Sequence, residues 1–162
     1  MREACNVKRT TLGEIAAFCV LGLGKDNVLT KFWHDRRVRW AAPIAWMGLI
    51  FYLSSRADYP SLLPSGWGDA QSILAHLAIY AVLALLWERA LRTAGIRRPL
   101  LWAFAIATLY GVSDEFHQRF VPGRSGNGFD VATDAVAAAL ALSIATWARR
   151  RVKPKGLGTT KK

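Results

Sequence analysis

The chain reads as an all-α integral membrane protein, a four-transmembrane-helix bundle with a polar outer-face hairpin between helices three and four. Three observations predict this. Four stretches between residues 39 and 148 are apolar over nearly the ~20 residues that cross a bilayer, and none alternates with the period of two that a half-buried strand requires. Lysine and arginine collect at alternate joins between the stretches. Tryptophans mark the same ends.

The first stretch, RWAAPIAWMGLIFYLSS (Arg39 to Ser55), is slightly short for a span, and Pro43 falls early enough in it for a helix to tolerate. The second, QSILAHLAIYAVLALLWERAL (Gln71 to Leu91), has full length. The third, PLLWAFAIATLYGVSDEFHQRF (Pro99 to Phe120), opens on proline, whose fixed φ and missing N–H suit a first helical turn. PGRSGNG (Pro122 to Gly128) then has tight-turn residues, with Ser125 or Asn127 placed to cap the next helix. The fourth stretch, FDVATDAVAAALALSIATWA (Phe129 to Ala148), carries Ala135, Ala137, Ala138, Ala139 and Ala141, which predict a close-packing helix face.

Direction follows from the cations. Eight lysines and arginines lie in the first 39 residues, four between spans two and three (Arg89, Arg92, Arg97, Arg98), and seven from Arg149 onward. The other two joins hold only Arg56, and then Arg119 with Arg124. The excess marks the cytoplasmic side, so both termini are cytoplasmic. Trp40, Trp87, Trp102 and Trp147 fall at the same predicted inner ends, where interfacial anchors belong. The expected organisation is a basic arm over 1–38, the membrane domain over 39–148, and a basic disordered tail over 149–162.

The net charge of +11 does not point to nucleic acid, because the cations cluster at the ends of apolar segments, where anionic lipid head groups lie. Cys5 and Cys19 have no metal-site spacing and read as reduced thiols. The stretch from Leu12 to Gly24 is too short to span, is interrupted by Glu14, and is read as a peripheral lead-in.

One segment does not fit an inert bundle. SDEFHQRFVPGRSGNGFD (Ser113 to Asp130) sets Asp114, Glu115, His117, Arg119, Arg124 and Asp130 between two apolar stretches. At a rise of about 1.5 Å per residue, Asp114 and Glu115 lie roughly 7 to 9 Å inside the outer end of span three. Asp134 lies at a similar depth in span four and His76 in span two, so ionisable groups from three helices share one layer. The pairs His76 and Tyr80, Asp114 and Gln118, and Asp130 and Asp134 are spaced four apart and share helix faces. A buried charge costs at least about 2.5 kcal/mol on insertion scales, so these groups should face one another or an outward wet cleft. Arg124, in the turn above, is the natural counter-ion. Glu88, beside Arg89 and Arg92, reads as part of a solvated inner rim.

Three pieces of the sequence resemble the VanZ-like family of small bacterial membrane proteins. FYLSS (Phe51 to Ser55) resembles the ending of that family's first span, and HLAIYAVLALL (His76 to Leu86) its His-x-x-x-Tyr-x-x-Leu helix. SDEFHQRFVPGRSGNGFDVATD (Ser113 to Asp134) resembles its signature at Asp114, Glu115, Gln118, Pro122, Arg124 and Asp130. The chain departs from the pattern at Ile73, where lysine is frequent, at Asp134, where asparagine is usual, and at Ala137 and Ala141, where glycine is common. The resemblance implies a four-span bundle in the bacterial cytoplasmic membrane. The family's founding member is associated with resistance to teicoplanin, a lipidated glycopeptide acting at the outer face. No chemistry comes with the resemblance.

The leading expectation is an outward-facing cleft that binds or modifies a lipid-linked or cell-envelope head group. Asp114, Glu115 and His76 are its candidates for acid/base catalysis. Arg124 would hold an anionic phosphate or carboxylate, with Gln118, Asp130, Asp134 and Tyr80 completing the binding set. The carboxylates also suit a divalent metal. Two alternatives stay open: a small proton-coupled transporter, and a structural or partner-binding membrane protein whose polar layer is interhelical glue.

Overall fold

A computed structural model describes residues 35–56, 68–124, 126 and 128–152. Cys5, Cys19, the lead-in from Leu12 to Gly24 and the candidate caps Ser125 and Asn127 lie outside them. The described residues are all-α, in four helices: α1 (Arg36–Ser54), α2 (Gly68–Thr93), α3 (Pro99–Gln118) and α4 (Gly128–Val152). Each expected stretch is one helix, with ends shifted by up to four residues.

Local chemistry sets several of those ends. Asp35 caps α1, its carboxylate accepting from the Arg37 N–H at 2.7 Å. Because α1 begins at Arg36, Pro43 sits inside the helix rather than in its first turn. α2 closes on Gly95 at φ +74°, with Ile96 N–H bonded to Leu91 O and Gly95 N–H to Arg92 O, the paired arrangement that a left-handed glycine allows. Pro99 occupies the first turn of α3, as expected. Between α3 and α4, Pro122 and Gly123 (φ +81°) make a tight turn closed by Arg124 N–H to Val121 O at 3.1 Å.

Contacts between helix ends show that consecutive helices run antiparallel, so that α1 and α3 run parallel, as do α2 and α4. Arg39 at the start of α1 donates to the Thr93 carbonyl at the end of α2, and Arg149 at the end of α4 reaches Glu88 near the end of α2. At the other end Ser54 of α1 meets Asp114 of α3, and His76 of α2 meets Asp134 of α4. One end of the bundle therefore holds the α2–α3 link, and the other the α3–α4 hairpin. α2 packs most extensively on α4 and next on α3, while α1 leans mainly on α2. The core between them is Tyr80, Leu83, Ala84, Ala103, Ala107, Ala137, Ala138 and Leu142. The alanine face expected on α4 is thus real at Ala137 and Ala138, whereas Ala139 points outward.

The outer surface is greasy. Ile44, Leu74, Leu109, Phe116, Leu140 and Ile144, drawn from all four helices, are each more than half exposed. α2 over Ala70–Thr93 and α4 over Gly128–Arg151 are long and apolar enough to cross a membrane, and only a minority of their residues is buried in the bundle. α1 and α3 are less uniformly apolar, because Arg36, Arg37 and Arg39 open the first and Asp114 and Glu115 close the second.

Glu88 differs from expectation. It is buried, and Arg149 grips it from α4 with Nη2 to Oε1 at 3.0 Å and Nη1 to Oε2 at 3.3 Å, while Arg92 adds Nε to Oε1 at 3.1 Å. The correction has a simple cause: α4 continues to Val152, which brings Arg149 over Glu88, and a bidentate guanidinium offsets the desolvation of the carboxylate. Trp40 and Trp87 meet edge to face at 6.1 Å at this same end.

Candidate functional site

The ionisable groups meet at the hairpin end. Asp114 is buried in the last turns of α3, and one of its oxygens, Oδ2, accepts from two donors: Ser54 Oγ of α1 at 2.8 Å and Gln118 Nε2, one turn on, at 3.0 Å. Its other oxygen, also buried, has no hydrogen-bond partner among the described residues. The Asp114 and Gln118 spacing works as expected. Ser54 was not foreseen as part of the site.

Across the bundle, His76 Nδ1 lies 2.9 Å from Asp134 Oδ1, joining α2 to α4. Asp134 is fully enclosed, and it has room because Gly111 of α3 faces it: a Cβ on Gly111 would stand 2.9 Å from Asp134 Oδ2 and 3.5 Å from Tyr80 Cε1. Asp134 Oδ2 and the Tyr80 hydroxyl are both buried without a hydrogen-bond partner among the described residues. Tyr80, one turn along α2 from His76, lies nearly parallel to the imidazole, with ring centroids 6.1 Å apart and planes 8° from parallel.

A third grouping bridges the first two. One ligand-type atom each from His76, Glu115 and Asp130 lies within 4.8 Å of the others, bringing together α2, α3 and α4. Glu115 is buried; His76 and Asp130 are half-buried, so the group opens toward the hairpin end. Gly126 of the hairpin holds this wall close, since a Cβ there would sit 2.3 Å from the Glu115 carbonyl oxygen.

The remaining expected residues mark the rim. Arg124 donates from Nε to the Arg56 carbonyl at 3.2 Å, tying the hairpin to the end of α1. His117 turns to α1 as well: its ring stacks on Phe51 at 4.4 Å, and its Nε2 lies 3.1 Å from Ser55 Oγ. The structure therefore brings His76, Tyr80, Asp114, Glu115, Gln118, Asp130 and Asp134 to one end of the bundle and sets Arg124 in the hairpin beside it. Ser54 and Gly111 are the additions. A serine at the hairpin end of the first apolar stretch was a readable polar signal, but a glycine one turn from Asp114 carries meaning only once Asp134 is seen opposite.

Apolar helix exteriors around a buried layer of acids, histidine and tyrosine, with two helices long and apolar enough to cross a membrane, fit a small helical membrane protein with a polar layer at one end. The family model described as VanZ/LLP1 matches residues 39–149, well over half of the chain, and the chain belongs to that family. The matched segment contains every residue of the polar layer. No curated protein and no solved structure matches the chain.

Proposed function

We propose that all four helices cross the bacterial cytoplasmic membrane, with both termini inside. The hairpin end then faces outward, and its polar pocket binds the head group of a membrane lipid or lipid-linked envelope precursor. The helices are roughly 28 to 39 Å long at about 1.5 Å per residue, so α2, α3 and α4 match or exceed a hydrocarbon core of about 30 Å and α1 falls about one residue short of it. The charge asymmetry favours the same direction, and the basic arm (1–38) and the end of the chain then meet anionic lipid on the cytoplasmic side.

The single observation that carries the binding reading is that three buried oxygens of the hairpin-end layer, Asp114 Oδ1, Asp134 Oδ2 and Tyr80 Oη, have no hydrogen-bond partner among the described residues, whereas the buried carboxylate at the other end, Glu88, is gripped by Arg149 and Arg92. The unmet atoms elsewhere, such as Arg39 Nε, Trp87 Nε1 and Thr108 Oγ1, are scattered singly. A layer serving only to join helices would be expected to satisfy its own atoms, because an unmet buried polar group costs about 1–3 kcal/mol. In this reading Arg124, at the rim, receives a phosphate or carboxylate, and Asp114, Glu115 and His76 stand where a proton could be exchanged with the bound group. Gln118, Asp130, Asp134 and Tyr80 complete the walls. A role in resistance to a lipidated glycopeptide would follow if the bound group is the one such an antibiotic engages.

A second reading has its own support. Ser54 with Asp114, and His76 with Asp134, each tie two helices together, which is what interhelical glue does. Purified protein in nanodiscs made from a bacterial lipid extract separates the two, with every lipid followed by mass spectrometry. Wild type that retains or consumes one lipid species, where the Asp114→Asn, Glu115→Gln double variant does not, supports the pocket. Identical lipid profiles for two equally well-folded proteins leave the glue reading standing.

A further inference from the structure

The triad of His76, Glu115 and Asp130 has a property that head-group binding does not require. Its three donor atoms come from three different helices, yet all lie within 4.8 Å of one another. Two carboxylates brought that close repel each other when both are ionised, and either a shared proton or a cation between them relieves the repulsion. The donor set, one imidazole and two carboxylates, suits a divalent transition ion better than Ca2+, which takes six to eight oxygens.

The surroundings point the same way. Asp134 takes His76 Nδ1 at 2.9 Å, so Nε2 is the nitrogen left to coordinate, and the carboxylate fixes the ring behind it as outer partners of metal-bound histidines do. Independently of the triad, the Tyr80 hydroxyl is fully buried with no hydrogen-bond partner among the described residues. Tyr80 lies one turn along α2 from His76, whose ring it nearly parallels. Asp134 Oδ2 is orphaned in the same layer. A three-ligand ion keeps open positions for water, and water held there supplies donors and acceptors to polar atoms of this kind.

We propose that His76, Glu115 and Asp130 form a binding site for one divalent transition-metal ion, Zn2+ or Mn2+, with Asp134 as the positioning partner of His76. The site belongs to the protein alone and stands whether or not a head group binds beside it.

The test uses tag-free full-length protein in nanodiscs of neutral lipid, dialysed against Zn2+, Mn2+ or Ca2+, with bound metal measured by plasma mass spectrometry. Wild type is expected to hold one Zn2+ or Mn2+ per chain in preference to Ca2+. Co2+ loading is expected to give a visible absorption band that Zn2+ abolishes. Glu115→Gln and Asp130→Asn should each lower affinity at least tenfold, and Asp134→Asn by about 10- to 100-fold through His76. Ser113→Ala, whose hydroxyl bonds back to the Tyr110 carbonyl of its own helix, should match wild type. Absence of saturable binding to wild type overturns the proposal, and that measurement depends on no variant folding. Undiminished binding by both Glu115→Gln and Asp130→Asn overturns it too, because the ion would then sit elsewhere. Neither result bears on lipid retention, which is read separately by lipid mass spectrometry.

Discussion

His76 Nδ1 and Asp134 Oδ1, 58 positions apart in sequence, stand 2.9 Å apart and fasten α2 to α4, the most extensively packed helix pair in the bundle. The Asp134 side chain is fully enclosed, and that of His76 is 13% exposed. Removing either side chain leaves the other in a site built for two.

Each single variant, His76→Ala and Asp134→Ala, is therefore expected to destabilise by about 1–3 kcal/mol. The double variant should lose less than their sum, with a coupling of about 0.6 to 1.7 kcal/mol, as for polar contacts between membrane helices. Reversible denaturation in mixed micelles measures all four proteins of the cycle. Strict additivity would show that the contact contributes nothing.

Gly111 and Gly48 make a controlled contrast. A Cβ on Gly111 would press on Asp134 Oδ2 at 2.9 Å, and that carboxylate is held by His76 and has nowhere to retreat. A Cβ on Gly48, in α1, meets nothing within 4 Å. Gly111→Ala should cost about 1–3 kcal/mol through overpacking, while Gly48→Ala should be neutral or gain up to about 1 kcal/mol of helix propensity. Thermal unfolding of the two variants under one detergent condition distinguishes them. Equal shifts would mean that Gly111 does not seat Asp134.

Much of this was legible before the fold. The four helices could be read because long Ala- and Leu-rich runs are bounded by proline, glycine and cation clusters, each of which acts locally. The polar layer could be read because Asp114 with Gln118, and His76 with Tyr80, obey helical spacing, and a fixed rise converts position into depth. What could not be read depends on how helices rotate against each other. His117 has the same residue type and nearly the same depth as a site histidine, yet it turns to Phe51 and Ser55 of α1. Ser54 joins the site only because α1 presents it to Asp114. Glu88 looked solvated because its sequence neighbours are cations, but the residue that encloses it, Arg149, lies 61 positions away.

That enclosure predicts unequal roles for two arginines. Arg149 holds Glu88 with two nitrogens and is largely sheltered, whereas the Arg92 side chain is 42% exposed and uses one. Arg149→Ala should destabilise by about 1.5–3 kcal/mol, the range for hydrogen bonds to a charged group, and Arg92→Ala by less than about 1 kcal/mol. Raising salt should shrink the Arg92 effect and barely touch that of Arg149, since exposed pairs are screened more. Denaturation at two ionic strengths reads both.

The direction of the bundle in the membrane has the most direct consequence, because the polar pocket can meet an envelope component only if the hairpin end is outside. Pro122, in the hairpin, and Arg97, in the α2–α3 link, are both exposed and lie at opposite ends of the bundle. In a background with Cys5→Ser and Cys19→Ser, Pro122→Cys should react with a membrane-impermeant maleimide on spheroplasts from intact cells. Arg97→Cys should react only after the membrane is opened. Four cations at the α2–α3 end (Arg89, Arg92, Arg97 and Arg98) against two in the hairpin make this the expected orientation. Labelling in the reverse order would place the pocket in the cytoplasm and withdraw the envelope head group as its ligand. It would leave the metal site untouched, since His76, Glu115 and Asp130 meet in either orientation. Equal labelling of both cysteines in unopened spheroplasts would mean that the apolar exterior of the four helices is covered by something other than a bilayer.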